Sequence, residues 1–313
     1  MNILVTGGAG FIGSHLVRYL LQQGEAVTVL DNLSTGLRSH LPKDGFTFWN
    51  MDIRDISIRE KIKEAHFDAV VHLAAQTMVD ASIRNPYFDA DENVLGTVNL
   101  LEAIRLAGIS RIVFASTAAV YGNVAEDHLP ITEDFPLHPM SFYGLTKLVV
   151  ERYLNLYHHL YGLNYVVLRF ANAYGERQGD KGEGGVISIF SKRATSGQTL
   201  NIFGDGTQTR DFIYAGDIAC AIYRALKTDS VNTSYNISTN TEISLNDLVN
   251  ILISMKEVNV QVVHKDPRAG DISRSVLSNK KAREKIGWNP ETNFESGLQR
   301  TIQYFIEGLL LKE

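Results

Sequence analysis

The chain has 313 residues, of which 44% are hydrophobic and 21% are charged, with a formal net charge of -5. This composition is typical of a globular protein with a large core and one or two domains, and the lack of a basic stripe argues against nucleic acid as the main partner. Since no apolar run is long enough to cross a bilayer, and the single cysteine, Cys220, excludes an internal disulfide and a CxxC metal site, we expect a soluble cytoplasmic protein without metal or membrane partner.

The N-terminal stretch predicts a strand, a glycine-rich turn, a helix and a second strand. The apolar run Ile3 to Val5 precedes the turn, and a second apolar run, Ala26 to Leu30, follows the helix and ends in Asp31. Among the glycines that follow the first strand, three have the spacing of a dinucleotide-binding turn: Gly7, Gly10 and Gly13. Such glycines allow a tight turn, the approach of a pyrophosphate to the backbone and close helix packing. The acidic Asp31 would bind an adenosine ribose and repel an added phosphate, which favours NAD over NADP.

The loops after the second and third strands suit the adenosine end of such a cofactor. Residues Asn32 to Gly36 are polar and turn-rich, and a third short strand is predicted from Phe46 to Trp49. Asp52 and Ile53 follow in a loop that would flank the adenine, although both are equally consistent with loop residues that contact no ligand.

The next strands bring small and polar residues to the same edge of the predicted sheet. A buried strand from Asp68 to Leu73 contains His72, for which we expect a hydrogen-bonded core position. It runs into residues small enough to let a cofactor approach the backbone: Ala74, Ala75 and Gln76. Helical periodicity follows from Asn93 to Ala107, and the strand Arg111 to Ala115 then delivers two hydroxyl residues to its C-terminal end, Ser116 and Thr117.

The predicted helix from Tyr143 to Tyr161 places Tyr143 and Lys147 one turn apart on the same face. A nearby ammonium and a positively charged nicotinamide both favour the phenolate, so this pair is a candidate general base with a lowered tyrosine pKa. The same spacing alone more often means a half-buried ring beside a solvated charge. The preceding dinucleotide-type turn and hydroxyl pair favour the catalytic interpretation.

Several motifs extend these observations to nearly the whole chain. They are GGAGFIG (Gly7 to Gly13), DNLSTG (Asp31 to Gly36), DIRD (Asp52 to Asp55), HLAAQ (His72 to Gln76), the Ser116-Thr117 pair, YGLTK (Tyr143 to Lys147) and GDGTQTRDFIY (Gly204 to Tyr214). In this order they resemble the extended short-chain dehydrogenase/reductases, and among these the chain is similar to the nucleotide-sugar 4-epimerases, typified by the UDP-glucose 4-epimerases.

The resemblance implies an α/β fold with a doubly wound parallel-sheet Rossmann domain and a smaller mixed α/β substrate domain. The Rossmann domain would comprise residues 1–171 with a return segment at about 212–240, and the substrate domain residues 172–211 and 241–313. The resemblance also implies a homodimer whose interface uses two helices, around Asn93 to Ala107 and Tyr143 to Tyr161.

The same resemblance assigns residues to NAD and to a UDP-sugar substrate. The residues assigned to NAD are Gly7, Gly10, Phe11, Ile12, Gly13, Asp31, Asn32, Ser34, Thr35, Gly36, Asp52, Ile53, Leu73, Ala74, Ala75, Gln76, Asn93, Tyr143 and Lys147. The residues assigned to the UDP-sugar are Thr77, Ser116, Thr117, Tyr143, Asn172, Gly185, Val186, Asn201, Phe203, Arg210, Arg268, Asp271 and Ser275.

In the second half of the chain, the resemblance decides most of these assignments. Arg210 and Arg268 match arginines that grip a diphosphate, and Asp271 matches an acidic residue that binds the nucleotide ribose. Without the family, each arginine is more simply a surface charge, and Asp211 would be an ion-pair partner of Arg210.

The implied reaction is inversion at carbon 4 of a UDP-hexose through a transient 4-keto sugar. Tyr143 would act as the base and Thr117 would hydrogen-bond the reacting oxygen, with Ser116 as a secondary candidate for that bond and Lys147 holding the nicotinamide ribose. Related dehydratases and decarboxylases carry acidic residues just after this threonine. This chain has alanine at both positions, 118 and 119, so it lacks an acid or base for those reactions.

The preferred sugar is less tightly constrained by the sequence. Ser275 matches a position that limits the space around carbon 2, and a small residue there favours N-acetylhexosamines in addition to hexoses; a one-residue shift would bring Arg274 or Val276 to the site. A uronic acid is the alternative if Arg177, near Asn172 in sequence, pairs with a carboxylate rather than being a solvated loop residue.

Two other classes of protein stay open at this stage. One is a non-catalytic NAD-binding regulator, which would be expected to lose the Tyr–Lys pair or the arginines. The other is an oxidoreductase that releases the reduced cofactor, which absorbance would detect.

Overall fold

The computed structural model describes residues 1–179, 184–255, 258, 260–267 and 272–310. The strands are β1 (Asn2–Thr6), β2 (Ala26–Asp31), β3 (Thr47–Asn50), β4 (Ala69–His72), β5 (Arg111–Thr117), β6 (Asn164–Phe170), β7 (Asn172–Tyr174), β8 (Leu200–Phe203), β9 (Thr209–Arg210), β10 (Phe212–Tyr214), β11 (Thr233–Ile237), β12 (Ile243–Ser244) and β13 (Val262–Lys265). The α-helices are α1 (Phe11–Gln22), α2 (Ile58–Ala65), α3 (Val79–Arg84), α4 (Pro86–Ala90), α5 (Gly96–Leu106), α6 (Phe142–Tyr161), α7 (Val186–Thr195), α8 (Ala215–Lys227), α9 (Leu245–Ser254), α10 (Lys280–Ile286) and α11 (Phe294–Leu310). A π-helical turn, Asp91–Leu95, leads into α5.

Seven strands form one parallel sheet in the order β11-β6-β5-β4-β1-β2-β3. The chain winds outward from β1 to β3, returns to β4 on the other side of β1, and then winds outward again. In such a sheet the reversal leaves a crevice at the carboxyl ends of the two central strands, where ligands bind. The predicted doubly wound parallel sheet is therefore confirmed.

The first strand shows why continuous apolar runs in the sequence predict the strands of this sheet. Ile3 and Val5 belong to the hydrophobic cluster on one face of the sheet, whereas Leu4 belongs to the cluster on the other face. Both faces are covered, by α1 and α8 on one side and by α2, α5 and α6 on the other. A strand buried on both faces needs apolar residues at every position, which gives a continuous run instead of an alternating one.

A third hydrophobic cluster lies outside this sheet. It includes Phe190 of α7, Ile202 of β8, Leu248 of α9 and Leu298 of α11. Beside it, short two-stranded ladders pair β7 with β10, β8 with β13 and β9 with β12. These elements lie mostly in the segments predicted to form the smaller substrate domain. The limits of the two domains stay a prediction.

None of the helices in the described part of the chain combines the length and the apolar character that crossing a membrane requires.

Candidate active site

The glycine-rich turn after β1 leaves no room for a side chain at Gly7 or Gly13. Gly7 has a φ of +71°, and a Cβ atom on it would lie 2.6 Å from the backbone nitrogen of Ala74. A Cβ atom on Gly13 would lie 2.1 Å from the carbonyl oxygen of Gly7. Gly10 caps α1 without a side-chain hydrogen bond, which leaves the first backbone N–H groups of the helix for an anion. The turn therefore fits a diphosphate, with Phe11 and Ile12 opening the helix beside it.

The end of β2 holds this turn in place. Asp31 is buried, and its carboxylate accepts hydrogen bonds from the backbone N–H groups of Ala9 (2.9 Å) and Leu33 (2.8 Å). The following loop exposes Ser34 and Thr35, whereas a Cβ atom on Gly36 would lie 2.9 Å from the carbonyl carbon of Ala9. The carboxylate of Asp31, which is predicted to contact the ribose, therefore also holds the backbone of the glycine-rich turn through Ala9.

The loop assigned to adenine is organised by an arginine. Arg54 binds Asp52 through its Nε (2.9 Å) and Nη2 (2.7 Å) atoms, and Asn32 donates to the same carboxylate at 2.8 Å. These bonds lower the pKa of Asp52 to about 2, mainly because Arg54 donates to the charged form. The side chain of Ile53 packs in the core instead of facing the loop surface.

His72 occupies the hydrogen-bonded core position expected of it. Its Nδ1 atom lies 2.7 Å from the hydroxyl of Thr6, and its Nε2 atom lies 2.8 Å from the hydroxyl of Thr97. Thr97 donates to the carbonyl oxygen of Asn93 at 2.6 Å, so it accepts from His72. Burial lowers the pKa of His72 to about 3, and the neutral ring links β1, β4 and α5.

The loop after β4 is fixed by reciprocal bonds with the π-helical turn. The backbone N–H of Gln76 donates to Oδ1 of Asn93 at 2.8 Å, and Nδ2 of Asn93 donates to the carbonyl oxygen of Gln76 at 2.9 Å. The other residues assigned here to NAD are half-buried: Leu73, Ala74 and Ala75. Thr77, assigned to the substrate, is exposed in the same loop.

Helix α6 carries the predicted catalytic pair beside the end of β5. Ser141 caps the helix by accepting a hydrogen bond from the N–H of Gly144 at 3.1 Å, and Gly162, with a φ of 74°, ends it. The Nζ atom of Lys147 donates to the carbonyl oxygen of Ala115 at 2.9 Å and lies 6.0 Å from the ring centroid of Tyr143. The structure therefore brings the pair and the strand end together.

Burial is the largest influence on the electrostatics of this pair. Burial raises the pKa of Tyr143 to about 12, a hydrogen bond with Thr117 acts against this shift, and the charge of Asp89 adds to it. Burial also lowers the pKa of Lys147 to about 8. Desolvation of the phenol is the largest of these influences, and the expected lowering of the tyrosine pKa by Lys147 together with a bound nicotinamide stays a prediction.

Ser116 and Thr117 point to different surroundings. The hydroxyl of Ser116, which is 3% exposed, donates to Oε1 of Glu151 at 2.6 Å. Glu151 in turn forms a bidentate ion pair with Arg169, at 3.1 Å and 2.7 Å. The hydroxyl of Thr117 instead accepts a hydrogen bond from the backbone N–H of Ala119 at 3.2 Å and lies near enough to the phenol of Tyr143 to favour the phenolate. This geometry favours Thr117 over Ser116 as the group that faces a substrate.

Sequence reasoning missed Glu151, Arg169 and Asp89. Glu151 continues the face of α6 that carries Tyr143 and Lys147, at the next helical repeat, and this spacing was an available signal. Arg169 lies inside the apolar strand β6, where a charge indicates a buried partner. No pattern in the sequence around Asp89 distinguishes it.

The residues assigned to the substrate lie on several elements. Asn172 is exposed at the start of β7, Gly185 and Val186 begin α7, and Asn201 and Phe203 are half-buried in β8. Arg268 and Asp271 lie outside the described residues.

Arg210 lies close in the structure to Ser275, the residue predicted to limit the space around carbon 2 of the sugar. The Nη1 atom of Arg210 donates to the carbonyl oxygen of Ile272 at 2.7 Å, and the N–H of Asp211 donates to the carbonyl oxygen of Ser275 at 3.0 Å. Arg274 forms an ion pair with Glu242. It shares one side of the extended segment with the buried Val276, since both line the same cavity. Alternation along an extended chain then places Ser275 on the opposite side.

Arg177 contacts the dinucleotide turn region. Its Nε atom donates to the hydroxyl of Ser14 in α1 at 2.8 Å. This contact favours a packing role over the alternative of a partner for a sugar carboxylate.

Taken together, the sheet reversal, the glycine turn at the head of α1, the acidic end of β2 and the Tyr–Lys pair on α6 define an NAD-binding enzyme of the short-chain dehydrogenase/reductase class. The chain belongs to the NAD dependent epimerase/dehydratase family, whose profile matches residues 3–238. The sequence-based assignment to an NAD-dependent isomerase family is thereby confirmed.

Three solved structures are similar over nearly the whole chain. UDP-glucose 4-epimerase from Thermotoga maritima, solved with UDP-glucose, is 41% identical, with a TM-score of 0.94 and coverage of 99% of this chain and 100% of that one. UDP-glucose 4-epimerase from Thermus thermophilus, solved with NAD, is 40% identical, with a TM-score of 0.90 and coverage of 97% and 99%. UDP-N-acetylglucosamine 4-epimerase from Methanobrevibacter ruminantium, solved with UDP-N-acetylmuramic acid, is 34% identical, with a TM-score of 0.91 and coverage of 98% of each chain.

Proposed function

We propose that this protein is a 4-epimerase of UDP-hexoses that keeps NAD bound through each turnover. The observation that carries the proposal is the arrangement at the end of β5. There Thr117 lies near enough to the phenol of Tyr143 to favour the phenolate, Lys147 lies one helical turn from that tyrosine, and the two residues after Thr117 are alanines. This arrangement handles one proton at one hydroxyl and offers no group to eliminate water or carbon dioxide. The similarity to the Thermotoga enzyme supports the same assignment.

In this mechanism NAD, when bound, supplies the acceptor and donor of hydride at carbon 4. The glycine turn and Asp31 would hold its diphosphate and adenosine ribose, and the loop from Leu73 to Gln76 would line the rest of the crevice. Tyr143 takes the proton from the sugar hydroxyl and later returns it, because its oxygen is the titratable atom beside Thr117. Since desolvation raises the pKa of this phenol, a positive charge close to it is needed to release its proton near neutral pH. Lys147, one helical turn away, would supply part of that charge while it is protonated, and the bound nicotinamide would supply the rest.

A direct assay tests this function. Purified protein is incubated with UDP-galactose, without added cofactor, and the anomeric protons are followed by NMR while absorbance reports released reduced cofactor. We expect conversion to UDP-glucose with no released reduced cofactor. No conversion even after NAD is added, or a steady release of reduced cofactor, would contradict the proposal.

We further propose that the enzyme accepts N-acetylhexosamines, because Ser275 leaves room for the substituent at carbon 2. Its neighbours on the opposite side of the segment, Arg274 and Val276, are engaged elsewhere, so the small serine is the residue that sets the space. The resemblance to the Methanobrevibacter enzyme supports this breadth.

Replacing Ser275 by tyrosine is expected to lower kcat/KM for UDP-N-acetylgalactosamine by about 100-fold and to leave UDP-galactose turnover within roughly threefold. The added ring fills the space for the acetamide, and steric exclusion of this kind is worth a few kcal/mol. Ser275→Ala is the matched control and should keep both activities. Wild-type enzyme that converts UDP-galactose but not UDP-N-acetylgalactosamine would contradict the proposed role of Ser275.

We also propose a homodimer that uses the outer faces of α5 and α6. On α6, exposed apolar side chains recur at helical spacing opposite the catalytic face: Phe142, Leu145, Tyr153, Leu156 and Leu160. Leu95 and Leu106 are exposed at the two ends of the neighbouring segment. Two such helices present a contiguous apolar surface of the kind that homodimers bury.

Replacing Leu156 and Leu160 together by glutamate is expected to give a monomer, because two buried charges at a helix seam cost several kcal/mol of association energy. Light scattering coupled to gel filtration measures the mass. The control is Ile253→Glu on α9, since Ile253 is 56% exposed, as Leu156 is at 54%, but lies away from this seam. A monomeric wild-type protein, or a double variant that stays dimeric, would contradict the proposal.

A further inference from the structure

Asp89 of α4 is a fully buried carboxylate that none of the assignments above includes. It has no solvent-exposed surface. The short helix that carries it is capped by Asn85, whose side chain accepts a hydrogen bond from the N–H of Phe88 at 3.1 Å. Burying a charged carboxylate is costly unless it is hydrogen-bonded, so this position requires a compensating arrangement.

The hydrogen bonds of Asp89 join three elements of the site. Its Oδ1 atom accepts from Nε2 of Gln76 (2.6 Å) and from Nδ2 of Asn93 (3.2 Å), and its Oδ2 atom accepts from the hydroxyl of Thr146 (3.0 Å). Gln76 belongs to the loop that lines the cofactor crevice, and Thr146 lies on α6 between Tyr143 and Lys147. One carboxylate therefore fixes the catalytic helix relative to the wall of the crevice.

These partners are neutral amide and hydroxyl groups, so none of them neutralises the charge of Asp89. That charge therefore acts at a distance on the titratable groups of α6. It raises the pKa of both Tyr143 and Lys147. The other titratable groups facing this pair are Glu151 on α6, which also raises the pKa of Lys147 and is paired with Arg169 of β6, and His72 of β4, which is neutral. Among these groups, Asp89 is the one whose charge acts on both members of the pair.

We propose that Asp89 is a positioning residue for α6 and the buried counter-charge of the Tyr143–Lys147 pair. It holds the pair against the crevice wall through Thr146 and Gln76, and its negative charge favours the ammonium of Lys147 over the neutral amine. This inference rests on the proposed epimerase function for its catalytic consequence, whereas its electrostatic part concerns residues of this chain alone.

The variant Asp89→Asn removes the charge and can keep the hydrogen bonds. The asparagine oxygen can accept from Gln76 and Asn93, and its amide can donate to the hydroxyl of Thr146, which has a second acceptor in the carbonyl oxygen of Tyr143 at 2.9 Å. Loss of a nearby negative charge lowers the pKa of both groups. We expect both limbs of the pH profile of kcat to move to lower pH by about one unit.

Thr146→Val tests the positioning part separately, since it removes the hydroxyl and leaves the carboxylate. We expect kcat to fall about 10-fold or more with both limbs unmoved, because a misplaced catalytic helix loses alignment but not charge. Asp80→Asn, an exposed carboxylate on α3, is the matched control and should behave as the wild type.

Carbon NMR of labelled tyrosine, with Tyr143 assigned through Tyr143→Phe, follows the phenol titration without turnover. A lower pKa for Tyr143 in Asp89→Asn than in the wild type supports the counter-charge, even if the wild-type protein fails to epimerise any UDP-hexose. If neither the phenol titration nor the limbs of the pH profile of kcat move in Asp89→Asn, the proposal that Asp89 is the counter-charge is overturned. If Asp89→Asn does not fold, Thr146→Val decides the positioning part, and unchanged kcat and KM in that variant would overturn it.

Discussion

Replacing Tyr143 by phenylalanine is expected to lower kcat for UDP-galactose epimerisation by about 1,000-fold and to leave folding and NAD binding intact. The substitution removes one oxygen atom, and with it the atom that exchanges a proton with the sugar hydroxyl, while the ring keeps its packing. Thr117 loses its partner but can still face the substrate. Because the loss concerns proton transfer, KM should change far less than kcat.

Tyr153→Phe is the matched control for this experiment. Tyr153 lies on the same helix but on its exposed side, so its loss of a hydroxyl should leave kcat unchanged. Circular dichroism and a cofactor titration would verify that both variants are folded and bind NAD. Full epimerase activity in Tyr143→Phe would remove Tyr143 from the mechanism, whereas loss of NAD binding would indicate that the ring hydroxyl holds the cofactor instead.

The elements that the sequence predicted best are those in which the pattern of burial is the same along the whole element. The unit β1–α1–β2 combines strands covered on both faces with a helix that buries one side, so continuous runs and helical spacing both appear in the letters. The edge strand β11 has the sequence TSYNI, in which half-buried polar residues alternate poorly with apolar ones. These polar residues interrupt the apolar run, and the strand was predicted only as part of a return segment.

The site was predictable to the extent that its residues follow strand ends. Asp31, Ser116 and Thr117 come directly after apolar runs, and the parallel topology brings them to one edge. Asp89 and Glu151 were missed because their roles depend on distant partners, Thr146 for the first and Arg169 for the second. Contacts of this range follow from packing and leave no local pattern.

Burial is a second influence on the tyrosine pKa that the sequence does not show. The sequence shows that a lysine lies one turn from Tyr143, which favours the phenolate, but it does not show how far the ring is removed from water. In the structure desolvation outweighs the other influences on the phenol, and Lys147 directs its ammonium to the carbonyl oxygen of Ala115. The balance between neighbouring charge and desolvation requires coordinates.

Gly13 marks the closest approach of α1 to the turn, and the second large effect is expected there. A Cβ atom at this position would lie 2.1 Å from the carbonyl oxygen of Gly7 and 2.7 Å from the Cα atom of Gly8. Both contacts are with backbone, so no side chain can move aside. The same carbonyl of Gly7 accepts the hydrogen bond from the N–H of Gly10 at 3.1 Å, which shapes the turn.

Gly13→Ala is therefore expected to destabilise the protein by about 3 kcal/mol in urea unfolding, because α1 must move away from β1. If a similar energy is lost from the phosphate-binding turn, the Kd for NAD rises roughly 100-fold in calorimetric titration of cofactor-stripped protein. Gly308→Ala on α11 is the matched control, since nothing lies within 4 Å of its added Cβ atom, and it should leave both quantities unchanged or slightly improved. An unaltered Kd in Gly13→Ala would show that the cofactor diphosphate does not depend on this turn, whereas an altered Kd with full stability would place the effect on binding alone.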